Sequence, residues 1–134
     1  CVAVKRGGNY NMKIEVSNGE LLDKISILEI KEGKLTDKSK RAYVQKELEY
    51  LQDIADELLM SCYPDYVRLS ELNNSLWDIE DEIRAKGEKG EYDDRFVELS
   101  RFIYEKNDER ARVKRDIDES SNSDFREQKG HRTV

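Results

Sequence analysis

The chain has 134 residues, of which 40% are charged and 37% hydrophobic, with a single proline. This length suits one domain with one core, and the periodic apolar residues exclude a disordered chain. The net charge of −6 disfavours nonspecific binding to nucleic acid, which needs clustered cations, and no apolar run is long enough to cross a membrane.

Residues 1–11 show no helical or strand period, whereas the chain becomes well patterned from Met12 onward. The peptide Lys5-Arg6-Gly7-Gly8 can be encoded by a purine run that matches a bacterial ribosome-binding sequence. We therefore interpret residues 1–11 as leader nucleotides read as coding, with translation starting at Met12. A flexible N-terminal tail is the alternative interpretation.

Residues 12–16 alternate in polarity and predict a short strand or extended segment, although a lone strand needs a partner. Ser17 and Glu20 then match a capping box at the start of a helix that runs to about Lys34. Leu21, Ile25, Leu28 and Leu35 form one face of this helix, while Ile27 and Ile30 lie on the opposite side. Two apolar sides predict contact with two layers or with a second subunit.

A second helix is predicted from about Lys40 to Met60, with a heptad seam that ends at Cys62. Pro64 ends this region, and Asp65 is the expected cap of a third helix over residues 66–85. Gly87 and Gly90 form a solvated hinge.

A fourth helix is predicted to begin after a cap at Asp93 or Asp94 and to end near residues 120–123. Residues 121–134 are polar and are expected to form a frayed tail. Short connections between long helices predict antiparallel neighbours. The sequence thus predicts an all-α fold, in which residues 12–120 form a single domain, an antiparallel bundle of about four helices.

Residues 12–31 read M-K-I-E-V-S-N-G-E-L-L-D-K-I-S-I-L-E-I-K, and residues 76–117 contain L-W-D-I-E-D-E-I-R and N-D-E-R-A-R-V-K-R-D-I. These stretches resemble a family of small bacterial and phage proteins of unknown function. A fainter similarity connects the chain to a second uncharacterised family with an L-W-x-x-E-D-x-x-R segment. The resemblance implies a helical fold and a start at Met12, and it supplies no catalytic residues.

The fourth predicted helix carries polar residues within its apolar stripe. Asn107, Arg110 and Lys114 fall on or beside the stripe formed by Phe96, Leu99, Ile103, Val113 and Ile117. Because buried charge is costly unless it is paired, this pattern indicates either a carboxylate on a neighbouring helix or an anionic ligand. A solvent-facing position after a small helix rotation is the third alternative.

Candidate partners for these cations lie on the first and third predicted helices. Angular spacing puts Glu32 near the middle of the apolar face of the first helix and Glu29 at its edge, while Glu80 flanks the third helix's seam. Asn73 and Trp77 border that seam. We predict that these residues form either a buried polar network that sets helix pairing or a pocket for an anion such as a phosphorylated or sugar-nucleotide compound.

Other features are typical of solvated helices. The pairs Glu29/Glu32 and Glu105/Asp108 have a spacing that can hold Mg²⁺, but such pairs arise freely among 30 acidic residues. Two cysteines and one histidine disfavour a disulfide framework or a His/Cys metal site, so we predict no metal and no cofactor.

The sequence contains no catalytic or nucleotide-binding motif. We therefore predict a cytoplasmic helical protein that acts through a protein partner or self-association, including a homodimer, and that is not an enzyme. It is not expected to bind nucleic acid or a membrane. A small enzyme or binding module for a small anionic ligand is the alternative.

Overall fold

The computed structural model describes residues 4–6 and 9–133. Five helices dominate these residues and confirm the all-α class. Their bounds are α1, Asn18–Lys34; α2, Lys38–Ile54; α3, Asp56–Ser61; α4, Tyr63–Glu88; and α5, Asp94–Ser120. Two three-residue strands, β1 (Val4–Arg6) and β2 (Asn9–Asn11), pair as an antiparallel hairpin ahead of the helices.

Side-chain caps set the starts of three helices. The Ser17 hydroxyl, the Asp37 carboxylate and the Asp93 carboxylate each accept a hydrogen bond from the backbone N–H three residues later. These bonds satisfy donors that have no partner within the helix. The predicted caps, Ser17 for α1 and Asp93 for the last helix, are therefore confirmed. The capping box is only half formed, because Glu20 turns to Lys114 on α5 instead of back to Ser17.

The second predicted helix is interrupted, which is a correction to the sequence interpretation. The chain leaves helical geometry at Ala55, so α2 and α3 are separate helices. Pro64 does not end a helix but lies in the first turn of α4. Proline is tolerated there because its missing N–H would have no partner within the helix. Gly87 lies inside α4, and of the two glycines predicted to form the hinge only Gly90 adopts a positive φ, of 68°, in the turn that follows.

The core forms where α1 lies against the hairpin of α4 and α5. Ion pairs join Glu82 to Arg95 and Arg68 to Asp116, so α4 and α5 run in opposite directions. The largest fully buried side chains lie on these three helices and include Leu22, Ile25, Leu69, Leu99 and Ile117. Each such side chain contributes about 1.5–3 kcal/mol of hydrophobic free energy. α2 packs on α1, and Leu48 is its buried contact.

Of the two alternatives predicted for residues 12–16, a short strand or an extended segment, the strand is wrong, because residues 12–17 have no regular secondary structure. Met12, Ile14 and Val16 are all exposed. A strand needs a neighbouring strand or a buried face, and every residue from 12 to 16 is exposed. The predicted leader is covered in part: residues 1–3, 7 and 8 lie outside the described residues, and the remaining ones form the hairpin.

The C-terminal residues 121–133 form no helix or strand but contact the helical body. The Ser123 hydroxyl accepts a hydrogen bond from the Asn18 backbone N–H at 3.1 Å. Lys129 lies 3.4 Å from the Asp108 carboxylate. Where the sequence predicts a frayed tail, the structure therefore places a segment that is tied to α1 and α5.

Candidate functional site

The first turn of α1 lies directly against the last two turns of α5. A Cβ atom added to Gly19 would stand 2.8 Å from Asp118 Oδ1 and closer still to the Lys114 carbonyl oxygen. Only glycine therefore permits this approach of the two helices. At this short distance between the helices, the Gly19 backbone N–H donates a hydrogen bond to Asp118 Oδ1 at 2.6 Å.

Arg110 on α5 binds Asp23 on α1 through two hydrogen bonds. Nε donates to Asp23 Oδ1 at 2.9 Å, and Nη2 donates to Oδ2 at 2.5 Å. The Asp23 side chain is 4% exposed and that of Arg110 is 26% exposed. This paired geometry matches the planar guanidinium to a carboxylate. The hydrogen bond to Asp23 raises the pKa of Arg110, against the opposing effect of burial.

Amide side chains complete the surroundings of this pair. Asn73 Nδ2 on α4 donates to Asp23 Oδ1 at 2.9 Å and lies 3.2 Å from Ser26 Oγ. Asn107 Oδ1 accepts from Arg110 Nη1 at 3.3 Å. All three helices of the core thus contribute to one hydrogen-bonded group.

Lys114 lies one turn further along α5 and has two carboxylate partners. Its Nζ atom lies 2.9 Å from Glu20 Oε2 and 3.1 Å from Glu127 Oε2. Burial alone would lower the pKa of Lys114, but the hydrogen bond to Glu20 and the nearby charges of Asp23 and Glu127 outweigh it. The net effect is a raised pKa, so Lys114 is charged at neutral pH.

Asp118 closes the same row of α5 and is completely buried. Besides the N–H of Gly19, it accepts the Glu127 backbone N–H at Oδ2, at 2.7 Å. A buried carboxylate is stabilised by such hydrogen bonds. We call the group of Asp23, Arg110, Lys114 and Asp118, with the partners named above, the buried ion-pair cluster. Within the described residues, no buried side-chain nitrogen or oxygen lacks a hydrogen-bond partner.

A half-open cavity of about 260 Å³ adjoins this cluster. Arg110, Asn107 and Asn73 form its polar side, and Glu80 also lines it. Its apolar walls come from α1 and α4, and they are Ile27, Ile30, Leu76 and Trp77. The second apolar side of α1 therefore faces α4 across this space.

The structure brings together some of the sequence-predicted site residues and separates others. Asn73, Trp77, Glu80, Asn107 and Arg110 all line the cavity, and Lys114 belongs to the cluster. The carboxylates proposed as partners are elsewhere. Glu29 accepts hydrogen bonds from Tyr66 and Gln52, and Glu80 pairs with Arg84. Glu32 forms no hydrogen bond or ion pair with a described residue.

The difference in partners has a geometric cause. The first two turns of α1 contact α5. Glu29 and Glu32 belong to the second half of α1, and Glu29 contacts α4 and α2 there. The carboxylates of α1 that meet the cations are therefore Glu20 and Asp23. Asp118 was also missed, although it continues the spacing of Asn107, Arg110 and Lys114 by one turn.

The remaining acidic residues do not assemble into a metal site. Across residues 4–6 and 9–133, no group of three or more His, Cys, Asp or Glu side chains is arranged to hold a metal ion. Glu105 pairs with Arg101 and Asp108 with Lys129. In the same part of the chain, every helix is too short or too polar to span a bilayer.

The fold and the cluster define an all-helical protein whose interior cations are neutralised by its own carboxylates. A model described as a family of unknown function (DUF6165) matches residues 12–134, and the chain belongs to this family. The match includes every residue of the buried ion-pair cluster. Comparisons with curated proteins and with solved structures found no match.

Proposed function

We propose that this chain is a helical interaction protein that binds another protein through the half-open cavity beside the buried ion-pair cluster. One observation carries the proposal: apolar walls stand beside cations whose charges are already neutralised. Ile27, Ile30, Leu76 and Trp77 offer contact area to an apolar side chain. A tryptophan within such a recess is a frequent anchor of protein interfaces.

The pairing of the cations argues against a small anion as the occupant. Arg110 directs its guanidinium to Asp23 and Asn107, and Lys114 lies between Glu20 and Glu127. A phosphate on Arg110 would have to displace Asp23 and leave this buried carboxylate without a counter-charge, which is costly. The volume of about 260 Å³ is also below the roughly 300–1,000 Å³ of small-molecule pockets. It suits one or two inserted side chains.

The test is a photo-crosslinking amino acid introduced at Glu80, which lines the cavity. We expect a discrete cross-linked protein that is identified by mass spectrometry and is lost when Trp77→Ala is added. The same cross-linker at Glu88, an exposed position at the end of α4, serves as the control. Equal labelling from the two positions, or labelling that survives Trp77→Ala, would contradict the proposal.

A second candidate function is the binding of an anionic ligand at a different place. A cavity of about 510 Å³ between α4 and α5 is lined by Arg68, Lys106 and Arg112, with Glu71 and Glu109 also present. Arg68 pairs with Asp65 and Asp116, but Lys106 and Arg112 form no hydrogen bond or ion pair with the described residues. These two cations favour a phosphorylated compound here.

A thermal-shift screen with inorganic phosphate and nucleotides tests this second candidate, because a ligand that binds the folded state raises the melting temperature. We expect the shift to disappear in Arg112→Gln and to persist in Arg110→Gln. The absence of a shift with every anion would remove the candidate.

The antiparallel four-helix arrangement, the cytoplasmic location and the bacterial or phage origin stay predictions from the sequence.

A further inference from the structure

The flank of α2 carries an exposed row of large apolar side chains. Tyr43, Tyr50 and Ile54 are 77%, 61% and 58% exposed. Intervals of seven and four residues place them in one stripe along the helix. The face of α2 that packs on the core lies to one side of this stripe and consists of Val44, Leu48 and Leu51. Scattered apolar residues are ordinary on a surface, whereas an aligned row on one helix suggests a docking face.

The charges along α2 run against its helix dipole. Lys38, Lys40 and Arg41 occupy the first turn, which contains no acidic residue, and the last turn contains no basic residue. Acidic residues are instead concentrated in the second half, at Glu47, Glu49 and Asp53. Apart from the cap at Asp37, this order is unfavourable within the helix, because the N-terminus favours anions. The pattern therefore indicates a partner that lies outside the helix.

A second copy of α2 in the opposite direction meets this requirement. A two-fold interface brings the same patch of both subunits together, so the patch must be complementary to itself. Antiparallel pairing sets the basic first half of one α2 against the acidic second half of the other. Lys46 and Asp53 are two turns apart on the same side of the stripe. Each Lys46 would thus face the partner subunit's Asp53, and the contact would occur twice.

We propose that two copies of this chain associate through antiparallel α2 helices, with the stripe of Tyr43, Tyr50 and Ile54 at the centre of the interface. Tyr43 of one copy then lies near the partner subunit's Ile54, offset by about 3 Å along the helix. The inference goes beyond the function proposed above, because this face is separate from the cavity lined by Trp77 and from the cavity between α4 and α5.

Sedimentation equilibrium of the full chain tests this pairing by charge reversal. We expect a reversible dimer whose dissociation constant rises about tenfold or more in Lys46→Glu and in Asp53→Lys, because like charges then face each other. The double variant Lys46→Glu/Asp53→Lys restores opposite charges at both contacts and should recover the wild-type constant. Non-additivity of this kind identifies residues in direct contact.

The double reversal Glu88→Lys/Lys89→Glu, with its two single variants, is the matched control, because both residues are exposed at the far end of α4. These controls should leave the dissociation constant unchanged. A wild-type monomer at all concentrations would overturn the proposal. A dissociation constant that is unchanged in the single reversals, or that the double variant fails to restore, would overturn it as well. Circular dichroism of each variant establishes that the helices are intact.

Discussion

Gly19→Ala is the substitution that tests the close approach of α1 and α5 most directly. Alanine usually stabilises a helix relative to glycine by about 0.5–1 kcal/mol. Here the added methyl group would stand 2.8 Å from Asp118 Oδ1 and nearer to the Lys114 carbonyl oxygen. The Lys114 oxygen belongs to the backbone of a packed helix and cannot rotate away. The two helices must therefore separate.

The expected loss follows from two terms. Overpacking costs about 1–3 kcal/mol, and the Gly19 N–H hydrogen bond to a buried carboxylate is worth about 1.5–3 kcal/mol. After subtracting the intrinsic preference for alanine, we expect Gly19→Ala to lower the free energy of unfolding by about 1.5–5.5 kcal/mol. The measurement is urea unfolding followed by circular dichroism, with the midpoint and the slope compared to wild type.

Gly33→Ala is the matched control in the same helix. A Cβ atom at Gly33 has no neighbour within 4 Å. We therefore expect a gain of about 0.5–1 kcal/mol at this position, through the reduced entropy of the unfolded chain. If Gly19→Ala were neutral or stabilising like Gly33→Ala, the close packing of α1 on α5 would be refuted.

Three further predictions concern the cluster and its surroundings. Asp23→Ala leaves Arg110 without its carboxylate and should cost about 3–5 kcal/mol in urea unfolding, whereas Lys24→Ala breaks only the exposed pair with Glu47 and should cost no more than about 1 kcal/mol; equal losses would contradict the difference in burial. The pKa of Lys114 in the folded protein is raised above its ordinary 10.5. The contribution of Lys114 to the free energy of unfolding is therefore complete below about pH 10.5 and is lost as the pH rises through the folded pKa. Burial and the hydrogen bond to Glu29 likewise raise the pKa of Tyr66 above its ordinary 10.0. Lys114→Met and Tyr66→Phe should therefore each reduce the decrease of the urea midpoint with rising alkaline pH. An unchanged decrease in both variants would contradict the raised pKa values. Deletion of residues 124–134 removes the Glu127 N–H from Asp118 and Lys129 from the Asp108 carboxylate, and it should cost at least about 1–3 kcal/mol. Glu127→Ala, which keeps both contacts but removes the carboxylate near Lys114, should cost less, and the reverse order would count against a stabilising role of the C-terminal segment.

The sequence predicts the inward position of the cations on α5 but not their partners. Arg110 and Lys114 interrupt an apolar stripe, and the helical period alone is enough to place them. Identifying Asp23 and Glu20 as partners requires knowing which turns of α1 reach α5, and this depends on how the helices cross. Periodicity within α1 describes the apolar face and contains no information about the crossing. The sequence therefore predicts Glu32 as a partner and does not identify Asp23.

The predicted helix starts at Ser17 and Asp93 are confirmed, whereas the cap predicted at Asp65 is wrong, because Asp65 lies inside the first turn of α4. Ser17 and Asp93 were recognised because a cap is a local interaction within four residues. The break at Ala55 has no local signal, since its neighbours continue the heptad pattern and Ala55 itself is buried. Gly19 is similar, because a glycine in a first helical turn suggests little until α5 is seen beside it.

The bond between Asn18 and Ser123 joins residues 105 positions apart in the chain. Closing a loop of this size early in folding is entropically unfavourable, and contacts of high sequence separation slow folding. During synthesis on a ribosome, α1 would emerge first and wait for α5 before its first turn could be packed. Completion of the core must consequently wait for the synthesis of α5, and a nascent chain stalled before α5 should be degraded by a protease that the finished protein resists.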